Sequence, residues 1–187
     1  MNFFRKIRHP HPDLSRRAVT DRSGREIADL QAHFGHELRS FLYFYDEMLV
    51  LAAPLSGTPG NVNAELRDPV IAREPVSDER LGYMALESLL GYESGPIPSM
   101  KARKMTDWPT YQASGASSIK EFNRRTVGVM LETVYGSIRI EAWTLIPNEN
   151  RFAVRTWASI SELHIDLGAT LRKIVVGAKS LQSAGVI

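Results

Sequence analysis

Val127-Gly128-Val129-Met130-Leu131-Glu132-Thr133, Ile138-Arg139-Ile140-Glu141-Ala142-Trp143 and Phe152-Ala153-Val154-Arg155-Thr156 decide the fold class of this chain. Each run alternates with a period of two, which is the period of a strand. Gly136-Ser137 and Pro147-Asn148-Glu149-Asn150 are turn sequences between them. Connections this short join antiparallel neighbours, because parallel strands need a long crossover. In the middle strand Ile138, Ile140 and Ala142 make a dry face, and Arg139, Glu141 and Trp143 a wetter one.

A meander of this kind needs cover on its apolar face. Leu163, Leu167, Leu171, Ile174, Ala178 and Leu181 recur at helical spacing and supply it, behind a capping-box candidate at Ser159-Ile160-Ser161-Glu162. Gly168 and Gly177 inside this helix each cost roughly 1 kcal/mol in propensity, so close packing on the sheet is their expected role. Upstream, Ser117 to Arg124 reads either as a helical turn, with Ile119 and Phe122 at i, i+3, or as the start of a strand.

Towards the N-terminus, Ser23-Gly24-Arg25-Glu26 has capping-box spacing. Ile27, Leu30, Phe34, Leu38, Phe41, Tyr45, Met48 and Ala52 then follow in steps of three and four. The pattern predicts one long amphipathic helix, stopped near Ala53 by Pro54. Residues 54–76 are rich in Pro and Gly and predict loop, with a short extended piece at Val70-Ile71. Ser77-Asp78-Glu79 opens a second helix with acidic residues at its positive end, and Gly91 stops it. A second flexible stretch spans Gly95 to Lys104. The predicted architecture is α+β: an antiparallel sheet of three or more strands, packed by the C-terminal helix and the long N-terminal one. Residues 1–22 read as a flexible basic arm. Residues 23–187 read as a single domain with a helical N-terminal half and the meander plus helix in 117–182.

The chain has 187 residues, 43% hydrophobic and 24% charged, enough for one good core. It holds no cysteine, which removes disulfides, thiolate nucleophiles and Cys-based zinc sites. No secretory signal follows Met1-Asn2-Phe3-Phe4-Arg5-Lys6, and the greasiest run, Met48 to Leu55, is too short to span a bilayer. A cytoplasmic protein without membrane contact is the expectation. The sequence pI of about 9.0 comes from one end. Residues 1–25 carry seven basic side chains against two acidic, net +5, which leaves sixteen basic and nineteen acidic, net −3, in the remainder. Such an arm could hold nucleic acid phosphates, but a solvated terminus is the simpler reading.

No catalytic constellation emerges. Asp29, His33 and His36, with Glu37 beside them, raise metal binding, since two His at i, i+3 can share an ion. On a helical wheel of about 100° per residue both histidines lie off the apolar stripe. They face solvent without a third ligand, and no metal is expected. His9 and His11 are separated by prolines in the arm. His164 and Asp166 cannot be assembled with a serine into a triad, and no Gly-x-Ser-x-Gly elbow or phosphate-cradling glycine loop occurs. No catalytic residue and no cofactor is assigned, and an enzyme without a recognisable motif, a hydrolase for instance, is kept as an alternative.

Aromatics are what remain. On the expected helix Tyr43 falls opposite the stripe and Phe44 to its side, so the stretch from Phe41 to Tyr45 is either buried on two sides or an interface patch. Trp143 and Trp157 share the non-core face of their strands, and Trp108 precedes Pro109 in a loop. Aromatics of this kind are enriched at binding hot spots. The plainer reading is a second layer, with the N-terminal half packed on the other sheet face.

Trp108, Tyr111-Gln112-Ala113-Ser114-Gly115, Ser117-Ser118-Ile119-Lys120-Glu121-Phe122, the strand Val127-Gly128-Val129 and Ser161 to Leu171 follow in an order that resembles bacterial immunity proteins of contact-dependent growth inhibition systems. The resemblance covers roughly residues 108–175. It implies a cytoplasmic, non-catalytic protein that binds and neutralises a cognate toxin domain, often a nuclease. Acidic, aromatic-bearing surfaces suit that task, which makes Tyr43 with Asp46 and Glu47, Asp107 with Trp108, and Trp143 and Trp157 the candidate partner-binding residues. A nucleic acid held by the basic arm is the second candidate partner.

Overall fold

The computed structural model describes residues 32, 37–46, 48–57, 64–95, 104–134, 137–146, 149, 151–160 and 167–185. The basic arm and all five histidines therefore lie outside the described residues, and with them the Asp29-His33-His36 group and His164.

Among the described residues eight strands form one sheet: β1 (Arg39–Tyr45), β2 (Leu49–Gly57), β3 (Ala64–Glu65), β4 (Val70–Arg73), β5 (Glu93–Ser94), β6 (Thr126–Val134), β7 (Ser137–Leu145) and β8 (Phe152–Ile160). The path runs β3-β2-β1-β6-β7-β8, with β4 and β5 also pairing β2. Every pairing is antiparallel except β5 on β2. The helices described in full are α1 (Asp78–Leu90), α2 (Pro109–Ser114), α3 (Ile119–Arg125) and α4 (Leu167–Ser183), and a 3₁₀ turn spans Met105–Asp107. The α+β class, the meander β6-β7-β8, the short strand at Val70 and the C-terminal helix on the sheet all follow the sequence reading. Ser77 caps α1 by accepting the Arg80 N–H, and Gly91 ends it.

The long N-terminal helix does not exist over residues 39–53. That stretch is β1, a turn and β2, so the N-terminal half is not helical there. Of residues 23–36 only Ala32 is described, and it is helical. The reason for the difference is burial on both sides. In a strand, Leu42 and Phe44 point to one face and Phe41, Tyr43 and Tyr45 to the other, and Leu42, Tyr43, Phe44 and Tyr45 are all buried. A strand covered on both faces is apolar at nearly every position, and steps of three and four can be picked out of any such run. Phe41 to Tyr45 thus never wraps a helix; its aromatics simply alternate.

α1 and α4 cover one face. Leu42, Val50, Val129, Leu131, Ile140 and Ala142 from the sheet meet Leu81, Met84 and Leu89 of α1 and Leu171, Ile174 and Ala178 of α4. The two helices touch at Gly82 and Gly168, where a Cβ on Gly168 would lie 1.8 Å from the Asp78 carbonyl oxygen. Gly168 therefore serves a helix–helix contact, not the expected contact with the sheet. Gly177 does face the sheet, its Cβ position 3.2 Å from Thr156 Cγ2. Arg172 of α4 ties to the start of α1, its Nε 2.7 Å from Asp78 Oδ1, and to the chain before it, its Nη1 3.3 Å from Glu74 Oε1. The predicted cap at Ser159 is also corrected: Ser159 and Ile160 are strand residues, Ser159 opposite Arg139. Glu162 is not among the described residues, and α4 is described from Leu167. Ser117 to Arg124 resolves as α3, capped by the Ser118 hydroxyl on the Glu121 N–H.

The other face, called outer below, has its own cover over one half. α2 packs on β2 and α3 lies against β6 and β7, with its Phe122 reaching over Tyr43, Tyr45 and Leu51 of β1 and β2, so the molecule has three layers there. The second layer comes from residues 104–125, not from the N-terminal half as expected.

Candidate functional site

The outer face is built by alternation. β1 contributes Phe41, Tyr43 and Tyr45, and β6 contributes Gly128 and Met130 opposite them. β7 contributes Glu141 and Trp143, and β8 places Trp157 opposite Glu141 and Val154 opposite Trp143. A register shift at Ala142/Trp143 leaves Arg155 as the extra residue of a β-bulge on β8. The bulge splits the predicted alternation of Phe152, Val154 and Thr156. Phe152 and Val154 stay outside, while Thr156 turns under α4 and donates from Oγ1 to the Ile174 carbonyl at 2.9 Å.

Over β1 and β2 this face is closed by an aromatic cluster centred on Phe122 of α3. Its ring lies 5.2 Å from Trp108, 5.7 Å from Tyr43 and from Tyr45, and 6.0 Å from Tyr111, centroid to centroid. The Tyr45 contact is stacked and the others tilted or edge-on, arrangements that suit the ring quadrupoles. Beneath it sits the Glu65 carboxylate, 6% exposed. The Tyr43 and Thr110 hydroxyls, the Trp108 indole and the Thr110 backbone N–H donate to it. Burial raises the Glu65 pKa despite these donors. Burial, aided by the Glu65 charge, raises that of Tyr43 well above the ordinary phenol value.

Beyond the ends of β6 and β7 that α3 touches, the outer face over β6, β7 and β8 carries no such cover. A groove of about 310 Å³ opens there, walled by Phe41, Trp108, Phe122, Met130, Trp143 and Phe152. Gly128 floors it: a Cβ there would come within 2.6 Å of Phe41 Cε1, so the glycine lets that ring lie across the sheet. Trp157 is 71% exposed, and Phe152 and Val154 are each 41% exposed. The Trp143 Nε1 is buried with no hydrogen-bond acceptor among the described residues. At one end the groove is bounded by an ion-pair ladder: Arg39 Nε donates to Glu132 Oε1 at 2.6 Å, and Arg139 pairs with the other oxygen of this buried carboxylate.

The candidate residues separate accordingly. Trp143 and Trp157 fall on the open half, as the alternation implied. Tyr43 and Trp108 are in the buried cluster and form one wall of the groove. Asp46 occupies a tight turn at φ 53° and is paired with Arg125, whose Nε lies 2.8 Å from Asp46 Oδ1. Asp107 accepts the Lys104 N–H at 2.9 Å and so opens the 3₁₀ turn. Glu47 lies outside the described residues. Sequence reasoning passed over Phe152 and Val154, whose outward placement depends on the bulge, and Glu65, an acid in a stretch read as loop. It named Phe122 as half of an i, i+3 pair and in the stretch that carries the family resemblance, not as the centre of a cluster. Among the described residues no three His, Asp or Glu side chains gather as metal ligands do, and no helix is long and apolar enough to cross a membrane.

No family model matches the chain, and no curated protein matches it. Solved structures share its fold, among them the following two. One is a protein of unknown function, NMB0488, from Neisseria meningitidis, with a TM-score of 0.57 at 14% identity over 75% of this chain and 94% of that one. The other is a chain of the CdiA-CT/CdiI toxin and immunity complex from Yersinia pseudotuberculosis, with a TM-score of 0.55 at 12% identity over 75% of this chain and 96% of that one. The scaffold is thus one also found in a toxin and immunity complex.

Proposed function

We propose that this chain is a non-catalytic binding protein of the immunity kind, which engages a cognate bacterial toxin domain in the cytoplasm through the open half of its outer face. One observation carries the reading: Trp157, 71% exposed, stands beside the half-exposed Phe152 and Val154 next to an aromatic groove. Contiguous apolar surface of this kind marks interaction sites, and tryptophan is over-represented among the residues that dominate binding energy. The fold shared with a chain of a toxin and immunity complex supports the same partner class. Trp143 and Trp157 are the anchors in this reading, and Tyr43 and Trp108 hold the groove wall. Asp46 and Asp107 are engaged within the chain.

The test is calorimetric titration of the chain against the product of its neighbouring gene, alongside survival of cells that make that product. A complex that protects cells is expected, with Trp157→Ala weakening it by about 2 kcal/mol, a typical hot-spot cost. If neither binding nor protection occurs, the immunity reading fails. If a Trp157→Ala, Phe152→Ala double variant binds undiminished, the interface lies elsewhere.

A further inference from the structure

The cover on the outer face is fastened unevenly. Along Lys104–Ser114 the polar fastening to the sheet converges on one buried carboxylate and the Tyr43 hydroxyl beside it. Glu65 sits in the two-residue strand β3, and three of its four donors, the Thr110 hydroxyl, the Thr110 N–H and the Trp108 indole, come from this segment. The fourth, Tyr43, comes from β1. A buried polar network of this sort favours two arrangements only. Fully satisfied it fixes one geometry, and half satisfied it leaves desolvated groups unpaired. With the segment lifted, water replaces its three donors together, while Tyr43 stays in place on β1.

The segment is also built to move as a unit. α2 has six residues, too few to hold a helix without tertiary docking. It ends at Gly115, in the left-handed region at φ 70° with no atom within 4 Å of its Cβ position, a joint that needs glycine and meets no obstacle. Beyond that joint α3 continues directly into β6.

We propose that residues 104–114 are a releasable strap, latched by Glu65 and hinged at Gly115, whose opening extends the aromatic groove across Tyr43 and the Phe122 ring. The outer face then has two sizes, a small one with the strap down and a larger one with it lifted. This inference concerns the chain alone and does not depend on the toxin reading.

Hydrogen exchange measured by mass spectrometry on the full chain tests it, with Glu65→Gln and Thr110→Val as variants. The glutamine puts donors where the strap's donors point, and the valine removes one strap donor without altering the carboxylate. Exchange over residues 109–115 is expected to rise at least tenfold in both, while α1, α4 and the β6–β7 ladder keep their protection. Unchanged protection of 109–115 in Thr110→Val, or a loss spread equally over α1 and α4, overturns the latch. Should Glu65→Gln fail to fold, Thr110→Val decides by the same two outcomes.

Discussion

The two halves of the outer sheet face carry the same chemistry and meet different fates. Over β1 and β2, Tyr43, Tyr45 and Leu51 are buried beneath Phe122, Trp108 and Tyr111. Over β7 and β8, Trp143 borders an open groove and Trp157 stands in solvent. Aromatic residues in a sheet therefore do not announce their role. What separates a buried ring from an exposed one here is whether residues 104–125 reach it. The covered half is a structural layer, and the open half leaves apolar area exposed.

Substitutions can break this comparison. Phe122→Ala, which empties the centre of the covered half, should cost about 4 kcal/mol, in the range for buried Phe truncations, read from the urea midpoint. A cost below about 1 kcal/mol would mean that the cover contributes little. Gly168→Ala, on the opposite face, should cost about 3 kcal/mol by overpacking against Asp78. It supplies the scale for a fully covered layer. At the other extreme, Trp157→Ala should change stability by no more than about 0.5 kcal/mol, as surface substitutions do. A larger loss would show that Trp157 is covered in the free protein.

Acid titration sharpens the same contrast. Glu65, under the cover, has its pKa raised by burial. Its contribution is fully present below its unfolded value and is lost as pH rises through the raised one. The stability gap between the native chain and Glu65→Gln should therefore narrow as pH increases from 4. Glu121, on the exposed side of α3, behaves in the opposite sense. Hydrogen bonds from the Ser117 hydroxyl and N–H, and then Arg125, lower its pKa to about 2. Its contribution is present above the unfolded value near 4.5 and is lost as pH falls towards 2. Because this group is solvent-exposed, Glu121→Gln should show that loss only weakly.

Legibility in the sequence followed the number of buried faces. β7 has one wet face, so Ile138, Ile140 and Ala142 stood out against Arg139 and Glu141, and the meander was readable. Ser77 and Gly91 bracketed α1 because caps are chemistry of adjacent residues. β1 and β2 were unreadable as strands because both of their faces are dry, and β1's partner β6 is remote: Arg39 meets Glu132 across 93 residues. The site was half legible. Trp143 and Trp157 were found by alternation. Phe152 and Val154 were missed because a bulge resets the period, and Glu65 because its donors arrive from β1 and α2.

The amino-acid sequence by itself determined the β6-β7-β8 meander, the two long helices and the aromatic surplus, since periodicity, caps and composition act within a few residues of one another. Only the tertiary structure decided that residues 39–57 are central strands, and which aromatics are covered. Both depend on pairings between segments far apart in the chain, and no local pattern records which segment will come to lie on the other side of a sheet.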